Sequence, residues 1–77
     1  MSRVIIQDWT GAHVWLNTGD VVDVKYRVYR NGKKHFLEMC DTGDEPIHTL
    51  ELPAGVKLDK SSYEVFLRYI VLDVVAA

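Results

Sequence analysis

The chain has 77 residues, a formal net charge of −2, and 48% hydrophobic and 26% charged side chains. That length supports one hydrophobic core and is too short for two, so residues 1–77 read as a single domain of modest stability. The slight negative balance argues against wholesale coating of nucleic acid, and Cys40, the one cysteine, excludes an internal disulfide and fits a reducing compartment.

From the N-terminus, Met1–Asp8 holds a charge and then only three apolar residues, which is not the pattern of a signal peptide. No apolar run exceeds Tyr69–Leu72, far short of the ~20 residues of a bilayer span. The expectation is a cytoplasmic polypeptide that does not enter a membrane.

Turn signals recur roughly every ten residues. They fall at Trp9-Thr10-Gly11, Asn17–Asp20, Asn31-Gly32, Thr42–Pro46 and Pro53-Ala54-Gly55. Between them the spacing predicts strands over 3–8, 12–16, 21–30, 33–41 and 47–52. Eleven valines against four alanines favour pleated structure over helix. The fold class expected is mainly β, an antiparallel barrel or sandwich of five or six strands around a central 21–41 hairpin.

The hairpin carries the sharpest local signal. Asn and Gly tolerate the positive φ that both central positions of a type I′ turn require. With Asn31 and Gly32 as loop residues, one face carries Val24–Met39, Tyr26–Leu37 and Val28–His35. The other carries Lys25–Glu38, Arg27–Phe36 and Tyr29–Lys34. The first set is apolar and should face the core. The second is a charged and aromatic ladder, each pair worth about 0.2–1 kcal/mol. A slip of one residue would exchange the two sets.

Residues 57–77 admit two readings. Ser61-Ser62-Tyr63-Glu64 matches a capping box, and a helix would put Tyr63, Phe66, Leu67, Ile70 and Val74 on one face with Glu64 and Arg68 outside it. The β-branched Val65, Ile70, Val71, Val74 and Val75 instead support a strand buried on both sides. The strand reading comes first; the alternative is an α+β fold with a helix from about 61 to 74.

Chemical motifs are sparse. Asp41-Thr42-Gly43 matches the D-T-G triplet of aspartic proteases, but Asp44 stands where a small residue is usual, and an Asp-Gly turn explains the triplet. Asp41, Asp44 and Glu45 lack the spacing of a calcium loop. His13, His35, His48 and Cys40 form no local zinc pattern. Cys40 falls opposite Asp23 in the register above, which disfavours a reactive thiolate. The expectation is therefore a non-enzymatic protein without metal or cofactor.

Function is sought on the hairpin's outer face. Lys25, Arg27, Tyr29, Lys34 and Phe36, with Trp9 from the preceding turn, form the candidate partner-binding set, Trp being frequent among interface hot spots. The partner expected is another protein, or a second copy of this chain. Proteins of this size include phage or viral inhibitors of host complexes and particle-assembly subunits. The alternative is a nucleic-acid-binding small barrel, in which the same basic and aromatic side chains hold a single strand.

Overall fold

The computed structural model describes residues 3–75, and side chains as far as Asp73. Four strands form one antiparallel sheet in the order of the chain: β1 (Val4–Trp15), β2 (Val21–Asn31), β3 (Lys34–Asp41) and β4 (Pro46–Leu52). Helix α1 (Lys60–Ile70) follows and runs into a π-helical turn over Val71–Val75. The sheet is open, with β1 and β4 at its edges, so the architecture is the α+β alternative and not a closed barrel or sandwich of five or six strands.

Trp9-Thr10-Gly11 does not turn the chain. β1 continues through it, absorbing the irregularity as register shifts between Ile5 and Gln7 and between Gln7 and Thr10. Extra residues in one strand bend it and increase its twist without ending it. The later turn signals hold. Gly19 and Gly55 take φ of 91° and 83°, values at which L side chains are strained.

The hairpin forms, displaced from the expected register by two residues. Tyr26 faces Met39, Arg27 faces Glu38, Val28 faces Leu37 and Tyr29 faces Phe36. The two loop residues are therefore Gly32 and Lys33, and Asn31 pairs with Lys34. Gly32 has φ of 65° while neither Asn31 nor Lys33 has positive φ. Glycine alone at the first central position is what a type II′ turn needs. Because the displacement is even, the inward and outward sets survive it intact.

The C-terminal segment is helical because its polar punctuation and apolar spacing agree. The cap is Asp59 and not Ser61: its carboxylate accepts a hydrogen bond from the Ser62 amide at 2.9 Å. Tyr63, Leu67 and Ile70 are buried, with Val71 beyond them and Phe66 partly covered. The side chain of Val74 lies outside the described residues. These groups close over Val14, Val24, Tyr26, Val28, Leu37, Met39 and Leu52, and Tyr26 meets Tyr63 edge to face with ring centroids 6.0 Å apart. Burying the side chain of a residue such as Leu37 or Leu67 contributes about 1.5–3 kcal/mol. Among the described residues, the opposite face of the sheet has no helix or strand over it.

Candidate functional site

That uncovered face gathers most of the expected binding set. Alternation along β2 and β3 turns Lys25, Arg27, Tyr29, Lys34, Phe36 and Glu38 the same way, and the bulged start of β1 adds Trp9. Arg27 is the hub. Its Nε donates to Glu38 Oε1 at 2.7 Å, and its guanidinium lies 4.8 Å from the Trp9 ring and 5.7 Å from the Tyr29 ring. Tyr29 stacks on Phe36 at 5.4 Å, and Arg3 covers Tyr29 at 4.6 Å. Planar cations over ring faces hold such a stack together without a second layer.

The consequence is that much of this set is engaged within the molecule. Tyr29 is only 8% exposed, Lys25 pairs with Asp44, and Lys34 Nζ stands 3.8 Å from Glu51. Trp9, 40% exposed, is the large accessible ring. It does not sit in a turn; it lies in β1, with the Arg27 guanidinium over its ring. Opposite-sign neighbours thus accompany three of the hairpin's cations, which lowers the potential a phosphate backbone would meet.

Other candidate groups are occupied locally. Asp41 Oδ1 accepts hydrogen bonds from the Gly43 and Glu45 amides, both at 2.9 Å, so the D-T-G triplet is built as a turn. Asp44 adopts φ of 66° in that turn. His13 Nδ1 and Asp23 Oδ1 lie 2.5 Å apart as a cross-strand pair. Cys40 faces Lys25 and not Asp23, and it is buried. Burial pushes its thiol pKa up, against a smaller downward pull from Lys25. Among the described residues, no three His, Cys, Asp or Glu side chains converge as a metal site, and no helix is long and apolar enough to cross a membrane.

A second surface is absent from the expected set. On α1, Val65 is 67% and Tyr69 66% exposed, one turn apart on the side away from the sheet, and Leu72 continues the line. Beside them Leu50, Pro53, Val65, Phe66 and Tyr69 line a shallow groove of about 200 Å³. The signal was present as an i, i+4, i+7 spacing outside the Tyr63–Leu67–Ile70 face, visible only once the segment is wound as a helix.

Between β1 and α1 lies a larger cleft of about 740 Å³, walled by Thr10–Trp15 on one side and by Lys60, Glu64 and Arg68 on the other. Compared with known proteins, the chain matches no family model, no curated protein and no solved structure.

Proposed function

We propose that the protein works by binding another protein, without a catalytic centre of its own. The observation that carries this reading is the ridge of Val65, Tyr69 and Leu72. Large apolar side chains lined up in water at helical spacing, beside an apolar groove, are the usual mark of a protein contact. The hairpin face joins the reading through Trp9, with Arg27, Tyr29 and Phe36 as the frame that fixes it and Lys25 and Lys34 at the margin. Tyr and Trp held in fixed orientations lose little entropy on binding.

The test uses the ridge. Tyr69→Ser combined with Leu72→Ser should leave the circular dichroism of the chain unchanged while abolishing capture of a partner from its source lysate, or self-association in sedimentation equilibrium. A double variant that binds as the wild type does removes the ridge from the reading. A wild-type chain that stays monomeric and captures nothing removes the reading itself. The nucleic-acid alternative predicts binding of labelled single strands that weakens steeply with salt. The pairing of Lys25, Arg27 and Lys34 with Asp44, Glu38 and Glu51 weighs against it.

A further inference from the structure

β1 hydrogen-bonds to β2 alone, leaving the backbone groups of its other side without a strand partner among the described residues. Native sheets blunt such edges with bulges and charges. Here the bulges are confined to the first half of β1. From Thr10 to Trp15 the pairing with β2 runs unbroken, and His13 is the one ionisable side chain in that stretch. This regular, weakly charged half is also the half that walls the cleft with α1.

Gly11 sits in the middle of it. Its φ is not positive, and a Cβ built there would meet nothing within 4 Å, so neither the turn geometry nor the packing of this chain requires a glycine. A glycine inside a strand often marks where another backbone comes close.

The opposite wall supplies charge. Lys60 and Arg68 face the cleft from α1 with Glu64 between them. Arg68 donates to the neutral Asn17 Oδ1 at 2.6 Å, and neither cation has a carboxylate within ion-pair distance among the described residues. In a chain of net charge −2 whose hairpin cations are mostly paired, this wall keeps a positive excess. Eight helical residues span about 12 Å, close to the ~13 Å between residues i and i+4 of a strand.

We infer that the cleft between β1 and α1 takes an extended, acidic segment of a partner protein as an added strand along Thr10–Trp15. The inference rests on the protein-binding reading and gives it a site. Main-chain hydrogen bonds to the free edge hold the segment, and two of its carboxylates, four residues apart, reach Lys60 and Arg68.

The experiment is an NMR titration of the isotope-labelled full chain. The probe is a short peptide of alternating valine and threonine carrying two glutamates four positions apart; the control carries lysines at those positions. The glutamate peptide should shift the amides of Thr10–Trp15 and Lys60–Arg68. It should bind at least about fivefold more weakly to Lys60→Glu with Arg68→Glu, and more tightly to Glu64→Lys, as expected for exposed ion pairs. The lysine control should reverse that order.

Shifts confined to residues 25–38, or none at millimolar peptide, overturn the inference. So does concentration-dependent protection of Thr10–Trp15 without peptide, which would assign the edge to a second copy of this chain. A cleft that ignores the peptide in a protein still capturing a partner through Tyr69 defeats this site alone. A protein that captures nothing at all defeats the reading beneath it.

Discussion

The two faces of the sheet solve the same problem by different means. On one, Val24, Val28, Leu37 and Met39 are sealed under Tyr63, Leu67 and Ile70, so exclusion of water comes from a second layer of apolar side chains. On the other, Tyr29 is buried with no second layer above it among the described residues, shielded by the stacked Phe36 and by the Arg3 and Arg27 guanidinium groups over its ring. Apolar packing is non-directional and tolerates variation in angle. A shield one side chain thick depends on planar groups lying flat in the right order, which ties it to register.

The contrast can be broken most strongly from the covered side. Leu37→Ala should cost about 2–5 kcal/mol in denaturant unfolding, because it opens a cavity between rigid neighbours. A loss below 1 kcal/mol would mean that the helix settles into the gap. On the outer face Arg27→Ala should cost about 1.5–3 kcal/mol, the range for a hydrogen bond to a charged group, and should unquench Trp9 fluorescence selectively. A double-mutant cycle with Glu38→Ala should return coupling; a cycle of Arg27 with Leu37 should return little, since the two lie on opposite faces.

A smaller effect of opposite sign is expected at Asn31. Its Oδ1 is buried without a hydrogen-bond partner in an otherwise paired strand. Asn31→Val should therefore stabilise the chain by about 0.5 kcal/mol, through better strand propensity and loss of an unsatisfied acceptor. If the turn instead centred on Asn31-Gly32, the same substitution would be strongly destabilising, and thermal melts separate the two outcomes.

The smallest effect concerns how the covering layer is fastened. The Ser62 amide lowers the Asp59 carboxyl below its ordinary value. A depressed folded-state pKa stabilises above the unfolded value, near pH 4, and that contribution fades as pH falls through the folded value. Asp59→Ala should flatten the acid limb of the melting profile slightly while leaving the outer-face fluorescence unchanged.

How much of this was legible in the residues varied with the kind of signal. The hairpin and the sorting of side chains between faces were readable, since alternation survives any even displacement. The register itself was not, because Asn31-Gly32-Lys33 can supply either Asn-Gly for a I′ turn or Gly-Lys for a II′ turn. Longer-range pairing of Arg27 with Glu38 and Tyr29 with Phe36 goes with the second. Residues 60–70 carried contradictory local signals: valines for a strand, and a cap with i, i+4 spacing for a helix. The need to cover Val24, Val28, Leu37 and Met39 goes with helix, and no local window contains that need. Trp9-Thr10-Gly11 read as a turn because its composition is that of one; only the partner strand shows that the chain passes through it as a bulge. Most of the candidate residues share one face, and Arg27, Tyr29 and Phe36 engage within the hairpin, but the partners of Lys25 and Lys34, Asp44 and Glu51, arrive from outside it.

The strand order follows the chain without a crossover, so each strand lies beside the one made just before it. Only short connections have to close before each new pairing is rewarded, and low sequence separation of contacts goes with rapid folding. A chain of this topology should assemble outward from its central reversal, with the helix docking last onto a finished surface. Refolding by stopped flow should accordingly show backbone order before Tyr63 and Leu67 become protected from solvent.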